Sequence, residues 1–274
     1  SVVNDLEYLR GQKILLKSDL CADIKKYLRM LNLCDWPSLD ELNGMAIKRS
    51  GAMYNANGMS IRFVDQSNRP QTFEDGFEQR TFLLGEVPVR QKNWHDLLNA
   101  LTWFLFPNSK AALNARHFAV LKNNFSHSRT PEGDALTIFD EDGMIVISQS
   151  STLTDLLVNF EWIELFSKRR EMVVKHMSFF IFGHGLLEKT MKPYVGMTGK
   201  ALILNDTELN LKRKSDISVL DVDLVLSQVI PQKHNFLSGR SLSPLPILGI
   251  PGWWTGNEDP RFYENKSYFR KKRK

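Results

Sequence analysis

The chain has 274 residues, 42% hydrophobic and 24% charged, and carries 36 Lys and Arg against 31 Asp and Glu, a formal net charge of +5. These values exclude a disordered or fibrous chain and fit a globular protein able to bury a sizeable core. The last residues, 270–274, are all basic and supply the whole excess, so the body is neutral and gives no ground for a basic nucleic-acid face.

The N-terminal stretch to about Leu42 has helical periodicity through Ile24, Leu28 and Leu31, with Ser18 and Asp19 as capping candidates. Ser38 opens a further short helix after Trp36 and Pro37. Cys21 and Cys34, the only cysteines, exclude a disulfide framework and a cysteine-based zinc site, and point to a reducing compartment. From Ser60 to Arg90 the pattern changes to β-prone runs at Ser60–Val64 and Thr81–Leu84, separated by turn residues at Asn68, Pro70 and Gly76.

The stretch from Asn93 to His117 is the most informative. Leu97, Leu98, Leu101, Phe104 and Leu105 recur at the spacing of one helix face. His95, Asp96, Asn99 and Thr102 fall opposite, on a face that continues into Trp103 and Phe106 and therefore reads as covered. Polar groups on a covered face need partners or a ligand. Pro107 suits a first helical position or a connecting turn, Asn108 and Ser109 supply the chemistry of a helix start, and a second helix is expected from Lys110 to about Leu121, with Lys110, Asn114, His117 and Leu121 on one face. A helical hairpin would bring Asn99 level with His117. Two histidines, two asparagines and a carboxylate could hold a divalent metal or position a water, or form a buried polar network with no ligand.

Further on, Ala135–Phe139 and Met144–Ser148 read as strands of a hairpin about Asp140, Glu141, Asp142 and Gly143. The acidic residues resemble the start of a calcium loop but lack its closing Glu. From Thr152 to Met191 two helices are expected, broken near Ser167 to Arg170. The longest apolar run, Met177–Phe182, is far short of the ~20 residues of a membrane span. With no secretory leader evident, a cytoplasmic protein is expected. His184 and Glu188 lie at i, i+4, able to share a metal or to make a hydrogen bond at a helix crossing. If His184 converged on His95 and His117, the three imidazoles would match a catalytic zinc set. Gly196 to Lys200 lacks the phosphate-loop pattern. A strand at Lys200–Leu204 and a helix from Val219 to Ile230, stopped by Pro231, precede a Pro-, Gly- and Trp-rich end around Trp253 and Trp254 that should wrap over the domain. The expected fold is a single, mainly helical α+β domain over 1–269 with short β-hairpins, followed by a basic tail at 270–274.

Asn93 to His117, Phe182-Gly183-His184 through Glu188-Lys189, and Leu245 through Trp254 together resemble the bacterial family catalogued as domain of unknown function 3025, over about Arg62 to Phe269. The family pattern has Ala more often at the position of Gly185. The resemblance implies one coherent domain and carries no activity. The order His95, Asn114, His117 is also similar to that of His-Asn-His nucleases. It departs from them in placing the first His at a helix start instead of in a β-hairpin.

Two functions are open. One is a metal-dependent hydrolase of a phosphate ester or phosphodiester. In it His95, Asp96, Asn99, Asn114 and His117 are catalytic, Lys110 and Arg116 bind substrate, and His117, His184 and Glu188 hold a divalent ion such as zinc. The other is a non-catalytic module whose aromatic end and basic tail bind RNA or an acidic partner. A small or phosphate-containing substrate belongs to the first reading.

Overall fold

In the computed structural model, residues 2–31, 34–49, 51–66, 71–124, 128–205 and 217–272 are described, so that Asn68, Pro70, Arg273 and Lys274 lie outside the described residues. Local capping chemistry sets many of the boundaries. After α1 (Val2–Lys17), Ser18 accepts from Leu20 N and opens a 3-10 turn at Asp19–Ile24 that leads into α2 (Lys25–Leu28). Ser38 accepts from Glu41 N to start α3 (Leu39–Lys48). A parallel pair follows, β1 (Arg62–Asp65) with β2 (Glu86–Val89), joined through α4 (Phe77–Leu84).

The β-prone run Thr81–Leu84 is therefore helical. The helix runs from Phe77 to Leu84 and ends at Gly85, whose φ of 71° gives it the left-handed stop that ends helices. The strand forms just beyond it, at Glu86–Val89.

The two helices of the informative stretch both form, α5 at Trp94–Leu105 and α6 at Pro107–Asn123, the second starting at Pro107 instead of the expected Lys110. Then come α7 (Pro131–Asp142), β3 (Gly143–Ser148), α8 (Ser151–Val158), a π-helical turn at Ile163–Lys168, α9 (Arg170–His176) and β4 (Met177–Ile181). The chain ends through α10 (His184–Lys189), β5 (Thr198–Asn205), α11 (Val219–Val229), β6 (Ser243–Pro246) and a run of 3-10 turns.

Two expectations fail in this half. The hairpin about residues 140–143 is instead a helix passing straight into a strand, because Thr130, Pro131, Glu132 and Asp134 form a helix start that outweighs the β-branched run after it. Met177–Ile181, expected to continue a helix, is a strand paired antiparallel to β3.

The main sheet has the order β4-β3-β5-β6, with β3 and β5 parallel and the outer pairs antiparallel. All six residues of β3 are buried, as befits a strand paired on both sides. Helix α7 packs across β3 and β5 and against α10, which in turn meets α5. An aromatic chain joins these layers: Phe106 to Phe182 at 5.4 Å, Phe182 to Phe139 at 4.7 Å and Phe139 to Phe236 at 5.4 Å between centroids. Full burial of each such ring contributes about 1.5–3 kcal/mol. The molecule is a single α+β domain, and no helix among the described residues is long and apolar enough to cross a membrane.

Candidate metal centre

Helix α7 ends in three successive carboxylates, Asp140, Glu141 and Asp142, at the pole where a helix dipole is negative. That placement is electrostatically unfavourable unless cations answer it. Asp140 is met by Lys110 Nζ at 2.6 Å and Asp142 by Lys189 Nζ at 2.7 Å. Glu141 meets imidazoles: its Oε1 is 3.4 Å from His184 Nε2 and 3.5 Å from His95 Nε2.

Three elements bring these groups together. His95 stands in the first turn of α5, whose start is fixed by Asn93 Oδ1 accepting from Asp96 N at 3.0 Å. Its Nδ1 lies 2.8 Å from Glu188 Oε2 on α10. His184 opens α10 after Gly183, whose N–H donates to Gly143 O at 2.9 Å. A Cβ on Gly183 would sit 2.3 Å from Glu141 O, so only glycine allows α10 to start this close to the end of α7. The imidazole rings of His95 and His184 then stand 4.5 Å apart at 69°.

The His184 and His95 imidazoles hold the Glu141 carboxyl far below the usual carboxylate range, against a smaller opposing effect of burial. Burial also works against the Asp140 charge, yet Lys110 and His184 outweigh it and keep that carboxyl low. Glu141 and Glu188 raise His95 to about 9.

Donor atoms of His95, Glu141 and His184 all lie within 4.8 Å of one another. Charge-assisted hydrogen bonds run at about 2.7–2.9 Å, so the two Glu141–imidazole separations are long for direct pairing. Ligands of a tetrahedral zinc, at about 2.0–2.1 Å from the ion, stand about 3.4 Å apart, and the two Glu141–imidazole separations match that spacing. His184 supplies a second sign. Its Nδ1 is buried with no hydrogen-bond partner among the described residues and lies 4.0 Å from Asp140 Oδ2. An ion on Nε2 would fix the proton on Nδ1, where a carboxylate faces it, as Glu188 already faces Nδ1 of His95.

The other expected site residues lie apart from these donors or serve other groups. Asp96 is buried in a two-pronged ion pair with Arg90, both contacts at 2.8 Å. Arg90 keeps that carboxyl low against the effect of burial. Asn99 accepts from Lys110 Nζ at 2.7 Å, so Lys110, expected to bind substrate, is buried between Asn99 and Asp140. No hydrogen bond joins Asn99 to His117 among the described residues; the cross-helix partner of Asn99 is Lys110. Asn114 donates to Glu78 Oε2 and to the Glu78 carbonyl. Arg116 pairs with Glu132 at 2.7 Å and donates to the carbonyls of Ile230, Gln232 and Lys233. His117 is buried and lines a separate cavity with Gln79 and Thr137, outside the donor cluster.

Glu141 is the residue that sequence reasoning passed over, because the acidic run was read as a turn. The helix-start signature at Thr130–Asp134 was the available signal. Once residues 131–142 are helical, three carboxylates in a last turn demand cations.

A model of the family described as protein of unknown function (DUF3025) matches residues 61–273. The chain belongs to that family. No curated protein and no solved structure matches it.

Proposed function

We propose that this DUF3025 member is a metal-dependent hydrolase whose divalent ion is held by His95 Nε2, His184 Nε2 and Glu141 Oε1. The convergence of these three donors within 4.8 Å carries the reading. Two imidazoles and one carboxylate are a donor set of catalytic metals, and a three-residue set leaves coordination positions to water and substrate. Such an ion acts as a Lewis acid and lowers the pKa of bound water. Glu188 and Asp140 act one step out, orienting the two imidazoles. The site is open to solvent on the side of Glu141 and Glu188, whose side chains are 40% and 45% exposed. Lys110 and Arg116 spend their charges on protein partners, so they give no support to a phosphate ester over other hydrolysable bonds.

The test is elemental analysis of protein purified without an affinity tag. About one equivalent of a divalent transition metal is expected, lost in E141Q and H184A and retained in H117A. If zinc binds the parent and E141Q with equal affinity, the cluster is a network of ion pairs about a protonated His95 and the reading fails. Metal loading that switches on cleavage in a panel of carboxylic and phosphoric esters and amides identifies the bond attacked.

A further inference from the structure

Against β5 and β6, the outer strand among the described residues, lies a cleft of about 830 Å³, a size that accommodates a small organic ligand. Its lining includes Lys200, Arg240, Arg270, Lys271 and Lys272 and, among the described residues, no carboxylate. None of these five cations makes an ion pair among the described residues. Like charges gathered without counter-charge repel one another, and an anion relieves them. The C-terminal segment along the cleft is anchored: Trp162 Nε1 donates to Arg270 O at 2.8 Å, and Tyr268, buried, donates to Met197 O at 2.6 Å.

The cleft also has an aromatic wall. Phe160, half-buried, lines it and is backed by Trp162, with centroids 5.3 Å apart and planes at 19°. Phe160 has φ of 60°, at a helix-ending position that favours glycine. A bulky side chain is held there at a cost in backbone strain, offset by its packing on Trp162.

A peptide strand fits this edge poorly. Ile247 N donates to Met197 O, so residues 245 and 247 turn their backbone groups toward β5, and Pro244 and Pro246 face outward with no N–H to offer.

Cations beside a stacking ring are the chemistry that recognises a phosphate joined to a planar base. We infer that this cleft binds a nucleoside phosphate, with Lys200, Arg240 and Lys271 around the phosphate and the base stacked on Phe160. The site is separate from the metal centre and does not depend on it.

Fluorescence polarisation with a labelled single-stranded ten-nucleotide RNA, competed by adenosine monophosphate or by inorganic polyphosphate of matched charge, tests the inference on the full chain. RNA binding is expected to weaken at least tenfold in the K200E/R240E double variant, with a shallower salt dependence. A loss of about tenfold is expected in F160G, which removes the ring and relieves the backbone. E141Q should bind RNA like the parent, which keeps this test distinct from that of the metal centre. Competition by the mononucleotide assigns a single-nucleotide pocket; binding of RNA alone assigns a single-strand groove. The inference is overturned if no nucleotide probe binds, if the charge reversals bind like the parent, or if polyphosphate matches RNA and F160G changes nothing.

Discussion

His95 shows how one residue can be read in the sequence while its role is set by the fold. Its covered helix face was legible from Trp103 and Phe106, but its partners Glu141 and Glu188 come from α7 and α10, remote in sequence and fixed only by packing. Those carboxylates raise it to about 9, so at neutral pH the metal-free protein holds an imidazolium there. Its charge stabilises the metal-free fold fully below about 6.5, the ordinary histidine value, and this contribution fades as pH rises through 9. A metal must displace that proton. Zinc affinity measured by chelator competition should therefore rise about tenfold per pH unit between pH 7 and 9 and flatten above. A flat profile over that range would mean that zinc does not use His95. Glu188→Gln removes the outer carboxylate from Nδ1 and is expected to weaken zinc binding about 10–100-fold while leaving the stoichiometry unchanged.

Elements here are often closed by residues from other elements, and this limited what could be read in advance. Helix α6 has no side-chain cap of its own. Asp223, fully buried on α11, accepts from Asn108 N at 3.1 Å and Ser109 N at 2.8 Å and so caps it across the fold. Asp223→Ala should cost about 2 kcal/mol in urea unfolding, from a lost cap and a charge removed from a helix N-terminus. Lys110→Met strips the half-buried Asp140 carboxylate of its close cation and should cost more, about 3–5 kcal/mol by the same measurement. Helices α5, α6 and α11 were legible in type from their apolar spacing, and Pro231 marked the end of α11, whereas α6 starts at Pro107, ahead of the expected Lys110. Strand β4 and helices α4 and α7 were not. Short apolar runs such as Met177–Ile181 and Thr81–Leu84 suit either periodicity, and pairing with β3 or a glycine stop decides between them.

Across the whole molecule, α+β class and a covering C-terminal segment were readable from composition and turn residues, whereas charge distribution was not. Counting along the chain makes the body neutral, yet folding places Lys200 and Arg240 beside Arg270, Lys271 and Lys272. The same C-terminal segment ties the sheet to its surroundings through Tyr268, whose hydroxyl accepts from Leu248 N at 3.0 Å and donates to Met197 O. Calorimetry should record one cooperative transition. In Tyr268→Phe it should shift downward without splitting, reflecting about 1–3 kcal/mol for two buried groups left unsatisfied. Helix α7 enters β3 with no residue between Asp142 and Gly143, and β3 is clamped by neighbours on both edges. Nothing there can hinge. Amide protons of residues 144–147 should be among the last to exchange with deuterium, and on the proposed function an incoming molecule would have to adapt its own shape to Glu141, whose backbone is bolted to this rigid junction.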